Sequence, residues 1–138
     1  KCKANLTLVA TGPLTNISLA LKKDFPTMKR LREIVIMGGA FNGAHNTGPC
    51  AEFNFYVDPD AADAVMLSGL PIRLIPLNVT EQCILTPDDL REIDHTPLKR
   101  YIQRVTKFYF DFHKRTENFI VAICTTLSPS RRYWCRRY

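Results

Sequence analysis

The sequence predicts an α/β fold with a mainly parallel sheet flanked by helices. Three short apolar runs have the length of strands, at Leu6–Ala10, Ile34–Met37 and Ile72–Leu77. The segments between them carry apolar residues at helical spacing, and strands that alternate with helices favour parallel βαβ connections. Ligands of such sheets bind beyond the carboxyl ends of the strands, so polar residues that follow each strand are the candidates for a binding site.

The first helix is predicted to follow the first strand directly. Thr11-Gly12 turns the chain, and Pro13 suits the first helical position because its missing N–H is not needed there. We expect the helix to continue until Pro26 closes the segment. Its approximate apolar face consists of Leu14, Ile17, Leu19 and Leu21.

A polar loop and a second helix are predicted between the second and third strands. Gly38-Gly39 ends the second strand, and the loop occupies Ala40–Asn54. Asp58-Pro59 is an N-cap and first-turn pair, from which an alanine-rich helix continues to Gly69.

The third strand is followed by a turn and a long helix. Pro76 interrupts the strand near its end, and Asn78-Val-Thr80 follows at the predicted ligand-binding edge. Thr86-Pro-Asp-Asp89 has capping-box chemistry, because an acidic residue stands three positions after the threonine. Thr96-Pro97 opens the last helix, whose apolar residues at near-helical spacing are Leu98, Tyr101, Ile102, Val105, Phe108 and Phe112.

The most informative segment is the loop Asn46-Thr-Gly-Pro-Cys-Ala-Glu52-Phe-Asn54. Side-chain amides donate and accept hydrogen bonds, whereas an ionised carboxylate only accepts them. Two amides and one carboxylate in so short a loop therefore match the alternating hydroxyls of a sugar. The loop predicts a site for a polyhydroxylated ligand.

Four ordered motifs resemble those of the inosine–uridine-preferring nucleoside hydrolases. The resemblance covers roughly the first 117 residues and corresponds to the middle of a longer enzyme, so it implies a partial nucleoside-hydrolase-like fold. The motifs are Ala10-Thr-Gly-Pro-Leu-Thr-Asn16, Met37-Gly-Gly-Ala40, Asn46-Thr-Gly-Pro-Cys-Ala-Glu52-Phe-Asn54 and Val57-Asp-Pro-Asp-Ala-Ala62.

The resemblance implies hydrolysis of the N-glycosidic bond of ribonucleosides to ribose and free base. It also implies a calcium ion, Ca2+, that binds the ribose hydroxyls and lowers the pKa of a bound water. Glu52 and Asn54 match positions that bind ribose hydroxyls, and Asn46 matches one that holds the 5′-hydroxyl end. Met37 matches a residue lining the sugar pocket. The main-chain carbonyl of Thr11 matches one of the calcium ligands.

The chain departs from the family pattern at several places. It has no counterpart of the acidic Asp-x-Asp-x-x-x-Asp-Asp motif, and no His-Asp-Pro segment follows Glu117. Asn78 stands where the family often has Asp, and the polar loop has one extra residue around Gly43-Ala44-His45. We therefore assign no catalytic residue and expect a partial chain, weakly active or inactive alone. The alternatives are a non-catalytic ribose-binding module and a basic interaction module.

Charge separates the end of the chain from the rest. Residues 118–138 contain four arginines and no acidic residue, whereas the first 117 residues hold 15 Lys and Arg against 13 Asp and Glu. We predict a nucleoside-hydrolase-like domain over 1–117 and a divergent basic tail over 118–138. The apolar run at 119–123 is compatible with a short strand or a helical turn, and the arginines beyond Pro129 are expected to stay solvated.

Cysteine usage and hydropathy indicate the setting. Five cysteines without a Cys-x-x-Cys pair indicate neither a zinc site nor a closed disulfide set, which favours a reducing, cytoplasmic environment. The sequence has no apolar run of membrane-spanning length, so no membrane partner is expected. The expected partner is a ribonucleoside, without specific binding of nucleic acid. The resemblance further implies a homo-oligomer for the full-length protein.

Overall fold

The computed structural model of the chain describes residues 5–86, 88–91, 97–116 and 122–123. The chain divides into two compact units, residues 1–79 and residues 80–138. The boundary predicted from charge, at residue 117, stays a prediction, because all of residues 118–138 except Ala122–Ile123 lie outside the described ranges.

The first unit contains the predicted parallel sheet, which is confirmed. Its strands are β1 (Thr7–Ala10), β2 (Glu33–Met37) and β3 (Ile72–Ile75), all parallel and in the order β1-β2-β3. In this register Ala10 lies beside Ile36, and Met37 lies beside Ile75. All three strands therefore end at the same edge of the sheet.

Two helices cover the apolar core of this unit. They are α1 (Thr15–Lys23) and α4 (Pro59–Met66). The core is a cluster of buried, mostly aliphatic residues. Burial of one aliphatic side chain contributes about 1.5–3 kcal/mol, so this cluster is the main source of stability for the unit. Leu19, predicted to face the core, is instead 59% exposed, because it lies two positions from both Ile17 and Leu21. The buried cluster consists of Ala10, Leu14, Ile17, Leu21, Ile34, Ile36, Ala61, Ala62, Val65 and Leu70.

Pro26 opens a helix rather than closing one, which corrects the predicted end of α1. The α1 helix ends at Lys23, and a short helix α2 (Phe25–Met28) follows it. The Asp24 side chain caps α2 by accepting a 3.1 Å hydrogen bond from the Thr27 N–H. Proline is tolerated in a first turn because the N–H groups there have no partner within the helix.

Asp58 is confirmed as the N-cap of α4, and it also links α4 to α1 by a hydrogen bond. One carboxylate oxygen accepts a 3.0 Å hydrogen bond from the Ala61 N–H, and the other accepts a short hydrogen bond from the Thr15 hydroxyl. The Thr15 bond and then the Ala61 bond lower the pKa of Asp58 below its usual value. The α4 helix ends at Met66 rather than Gly69.

We expect the Thr15–Asp58 contact to make the free energy of unfolding depend on pH. A carboxyl whose pKa is depressed by folding stabilises the native state above its unfolded-state pKa. That contribution is lost as pH falls through the folded-state value. Thr15→Ala is expected to flatten the decline in unfolding free energy below about pH 4. Urea unfolding of the full chain at a series of pH values measures this, with exposed Asn16→Ala as the control. An unchanged pH profile for Thr15→Ala would contradict it.

The second unit contains a two-stranded sheet and the predicted long helix. Strand β4 (Ile84–Leu85) pairs antiparallel with β5 (Ala122–Ile123), so part of the apolar run at 119–123 is a strand. The predicted capping box of Thr86 and Asp89 is present. The Asp89 carboxylate accepts a 2.7 Å hydrogen bond from the Thr86 N–H, and the Thr86 hydroxyl accepts a 3.1 Å hydrogen bond from the Asp89 N–H. A turn occupies residues 88–91.

The long helix is α6 (Pro97–Thr116), and α5 (Leu77–Thr80) is a short helix after β3. Tyr101, Val105 and Phe108 of α6 are exposed, although their spacing predicted an apolar face. Helical spacing shows which residues share a face but not what covers that face. No helix within the described ranges is both long and apolar enough to cross a bilayer.

Candidate functional site

The predicted polar loop lies at the carboxyl edge of the sheet and is shorter than expected. It leaves β2 through Gly38 and Gly39 and ends where the helix α3 (Phe53–Val57) begins. Asn54 therefore lies in the first turn of α3 rather than in the loop, and Glu52 is the N-cap of that helix. The sequence did not indicate this helix, because its five residues are too few to show a helical period.

Glu52 is a buried carboxylate held by three main-chain N–H groups. Its side chain accepts hydrogen bonds from Asn54 at 2.9 Å, Phe55 at 3.2 Å and Gly39 at 2.9 Å. Only 3% of the residue is exposed. A buried charge is tolerated when it is well hydrogen-bonded, and the N-terminus of a helix favours an anion. Glu52 thereby joins the beginning of α3 to the end of β2.

Asn54 and Met37 form one connected pair beside Glu52. The Asn54 side-chain amide donates to the Met37 carbonyl at 3.1 Å and contacts the Met37 sulfur at 3.2 Å. Both residues are buried. The amide nitrogen of Asn54 is thus committed to the strand. Its Oδ1 accepts no hydrogen bond from the described residues.

Asn46 reaches the same helix from the other end of the loop. Its Oδ1 accepts a 2.8 Å hydrogen bond from the Phe53 N–H, and its own main-chain N–H donates to the Ala51 carbonyl. Between Asn46 and Phe53, the main chains of Thr47 and Ala51 exchange two hydrogen bonds, which close the loop. The Asn46 side chain is exposed and retains its two amide donors within the part of the chain that is described.

Thr11 lies at the same edge of the sheet, one strand away. It directly follows β1, and because Ala10 lies beside Ile36, Thr11 is level with Met37. The structure therefore brings Met37, Glu52 and Asn54 into one hydrogen-bonded network. Asn46 joins them through the first turn of α3, and Thr11 shares their strand edge. Their assignment to ribose and calcium stays a prediction.

The described residues do not by themselves fit a calcium ion. Ca²⁺ takes six to eight oxygen ligands, usually with several carboxylates. Within the described ranges, no group of three or more His, Cys, Asp or Glu side chains is arranged to hold a metal. The Glu52 carboxylate already accepts hydrogen bonds from three N–H groups. The Thr11 carbonyl stays a calcium ligand predicted from the family resemblance.

A separate cavity of about 560 Å³ lies beside Glu52 and is mainly apolar. Among the predicted site residues, Glu52 alone contributes to its lining, so the cavity and the polar network are different features. No local pattern in the sequence indicates this cavity, because its walls come from segments that are distant along the chain. The lining residues are Gly39, Ala40, Phe41, Cys50, Ala51, Glu52, Phe55, Tyr56, Pro59, Met66 and Leu74.

Sequence reasoning also missed the contact between Gly38 and Phe55. A Cβ atom on Gly38 would lie 2.4 Å from Cε1 of the Phe55 ring and 3.4 Å from the Glu52 carboxylate. Phe55 packs against the core cluster. Glycine at position 38 is therefore required for the Phe55 ring of α3 to lie against the end of β2.

The parallel sheet with a polar network at its carboxyl edge has the fold of the nucleoside hydrolases, as two solved structures show. A plant nucleoside hydrolase superposes with a TM-score of 0.76 at 34% identity, covering 85% of this chain and 37% of that one. A purine-preferring ribonucleoside hydrolase from Gardnerella vaginalis superposes with a TM-score of 0.70 at 38% identity, covering 82% of this chain and 36% of that one.

The sequence comparisons identify the family. The model of the inosine-uridine preferring nucleoside hydrolases matches residues 1–129. Uridine nucleosidase 1 of Arabidopsis thaliana is 42% identical over 114 residues, which are 81% of this chain and 34% of that protein. The chain belongs to the inosine-uridine preferring nucleoside hydrolase family. It spans about a third of the length of the curated relatives it matches.

Proposed function

We propose that the protein hydrolyses the N-glycosidic bond of ribonucleosides, releasing ribose and the free base, and that this chain contributes the ribose-binding edge. The observation that carries the proposal is the buried Glu52–Asn54–Met37 network at the carboxyl ends of the strands. Family membership supports the reaction. The positions of the polar side chains support the assignment of ribose to this edge.

The network has hydrogen-bonding capacity left for a sugar. A carboxylate offers about four lone-pair sites, and the protein uses three on Glu52. Glu52 therefore accepts one hydrogen bond from a ribose hydroxyl, and Oδ1 of Asn54 accepts another. Exposed Asn46 donates from its amide to the 5′-hydroxyl end. Met37 packs against the sugar ring.

The same geometry suits the charge that develops during cleavage. Positive charge grows on the ribose ring as the bond to the base breaks, and a fixed buried carboxylate stabilises such charge without reorganising. Calcium dependence is part of the proposal, and a bound ion would supply an activated water. Thr11 would contribute its carbonyl to that ion.

The base and the setting are left open by the comparisons. One relative is named a uridine nucleosidase and another a purine-preferring ribonucleoside hydrolase, so no base is assigned to this chain. A cytoplasmic location is proposed from the unpaired cysteine count. Self-association is proposed because an unpaired outer strand of an open sheet is prone to associate.

A binding experiment on the full chain tests the ribose assignment. We expect ribose, uridine and inosine to shift the amide NMR signals of Glu52, Asn54 and Phe53 with weak affinity. Glu52→Gln is expected to weaken binding about tenfold, because one acceptor becomes a donor. Glu33→Gln is the matched control, since Glu33 pairs with Arg73 at the opposite end of β2. Signals that stay unshifted in the unsubstituted chain would refute the assignment.

A ribose-binding module without hydrolysis is the second candidate. The observation that favours it is the polar network itself, since the roles proposed for Glu52 and Asn54 are hydrogen bonds to ribose and not chemical steps. Both candidates predict ribose binding by Glu52 and Asn54. They differ in whether free base is released, which an assay of base release decides.

A further inference from the structure

Gly39 lies two residues beyond the end of β2 and has a left-handed main-chain conformation. Its φ angle is 71°, a value that residues with a Cβ atom adopt only at a cost. Both of its main-chain polar groups bind other segments. The N–H donates a 2.9 Å hydrogen bond to the Glu52 carboxylate, and the carbonyl accepts a 2.9 Å hydrogen bond from the Leu77 N–H. The φ angle sets the directions of these two groups relative to each other, so the two bonds together depend on it.

The bond from Gly39 differs from the other two bonds that Glu52 accepts. The donors Asn54 and Phe55 follow Glu52 by two and three residues, so their bonds are the local capping bonds of α3 and move with that helix. Gly39 is 13 residues away and belongs to the segment that follows β2. Of the three donors, Gly39 is therefore the one that aligns the carboxylate with the edge of the sheet.

The α3 helix has a second attachment to the sheet that does not involve Gly39. The Asn54 side-chain amide donates to the Met37 carbonyl at 3.1 Å. Loss of the Gly39 bond is therefore expected to leave α3 in place and to release the carboxylate alone, because the Glu52 side chain has other staggered rotamers. The orientation of the carboxylate can thus be changed separately from the position of the helix.

We propose that Gly39 is a positioning residue, whose left-handed conformation directs an N–H at Glu52 and holds that carboxylate in the orientation that receives a ribose hydroxyl. The part that concerns ribose rests on the proposed function. The required property is the conformation and not small size. Gly39 lines the cavity of about 560 Å³, which has space for a longer side chain, and a Cβ atom at this position would lie 3.3 Å from Cε2 of Phe55.

Gly39→Ala and Gly39→Asn in the full chain distinguish conformation from size. Asparagine is larger than alanine but adopts positive φ angles more readily. At pH 7 we expect Gly39→Ala to raise amide hydrogen exchange at position 39 about tenfold and to weaken uridine binding by a similar factor. Gly39→Asn is expected to change each of them by about threefold or less. A requirement for small size predicts the opposite order of the two variants.

Gly69→Ala is the matched control. Gly69 lies between α4 and β3, its φ angle is 74°, and a Cβ atom there would have no neighbour within 4 Å. The substitution therefore carries a similar conformational cost away from the proposed ribose site. We expect it to lower the thermal stability measured by circular dichroism without changing exchange at position 39 or uridine binding. A merely structural effect of Gly39→Ala would resemble that of Gly69→Ala.

The NMR signal of the amide proton at position 39 is a second readout. A hydrogen bond to an ionised acceptor is stronger than one to a neutral acceptor, so Glu52→Gln should move this signal upfield in the unsubstituted chain and move it less in Gly39→Ala. This readout on the unsubstituted chain, together with Gly39→Asn, decides the matter if Gly39→Ala fails to fold.

Two results would overturn the proposal. One is a Gly39→Ala chain that exchanges at position 39 and binds uridine like the unsubstituted chain, and the other is a greater loss in Gly39→Asn than in Gly39→Ala. Exchange and the amide signal need no ligand, so they decide whether Gly39 orients Glu52 even if uridine fails to bind. Failure of the unsubstituted chain to bind uridine would refute the ribose assignment separately.

Discussion

Replacing Gly38 with alanine is expected to lower the free energy of unfolding by about 1–3 kcal/mol, the usual cost of overpacking a core. The added Cβ would lie 2.4 Å and 2.6 Å from two atoms of the Phe55 ring. The ring belongs to a short helix whose N-cap, Glu52, is itself tied to Gly39. Relief of the overlap therefore requires movement of α3 away from β2.

The same movement is expected to impair the ribose site. Glu52 and Asn54 both bond to main-chain groups at the end of β2, so moving α3 lengthens those bonds. Ribose affinity should fall about tenfold or more in Gly38→Ala. Urea unfolding and NMR titration of the same samples measure the two effects separately.

Gly12→Ala is the matched control for this substitution. Neither glycine has a positive φ angle, and a Cβ on Gly12 would have no neighbour within 4 Å. Both substitutions remove the same backbone freedom, so their difference reports the steric contact with Phe55. The double variant Gly38→Ala, Phe55→Leu should recover part of the lost stability. A Gly38→Ala chain as stable as Gly12→Ala would show that the ring adjusts freely.

The features that could be predicted from the sequence are those set by local chemistry. Asp58-Pro59 predicts its own cap, because the donor it binds lies three residues away at Ala61. Strand positions followed from apolar runs, and β2 shows why: a strand buried in the middle of a parallel sheet is apolar at nearly every position. The shared edge of the polar motifs then followed from topology.

The features that could not be predicted depend on contacts between distant residues or on competing local signals. A proline such as Pro26 is compatible both with the end of one helix and with the first turn of the next, and the structure has it in the first turn of α2. The pairing of Asn78 with Phe41 and the overlap of Gly38 with Phe55 join segments that no local pattern relates. Glu52 was predicted as a ligand-binding residue, and its second role, as a helix cap, depends on where α3 begins.

The helix-capping role of Glu52 and its proposed role in ligand binding are compatible. A carboxylate that only capped a helix would be solvated as a rule, and one that only bound ribose would be free to change rotamer. Three N–H donors hold Glu52 in one orientation and leave one lone-pair site for a ligand. The proposed ribose site is thus ordered without a ligand, which would lower the entropic cost of binding ribose.

The purified 138-residue chain is expected to release base from inosine or uridine at a rate many orders of magnitude below that of a complete hydrolase. Metal-activated water is a major element of such catalysis, since coordination to the ion lowers the pKa of the water. Thr11 is a proposed calcium ligand, and the described residues contain no group of three or more His, Cys, Asp or Glu side chains arranged to hold a metal. Ribose binding without turnover is therefore the expected behaviour.

An assay of base release with added calcium measures this, and the purine-preferring ribonucleoside hydrolase from Gardnerella vaginalis, which has the same fold, serves as a positive control with inosine. Glu52→Gln of the present chain is assayed in parallel to exclude a contaminating enzyme, whose activity the substitution would leave unchanged. Substantial release of base that chelator abolishes and Glu52→Gln diminishes would contradict the expectation. That result would mean that the chain holds a catalytic calcium ion.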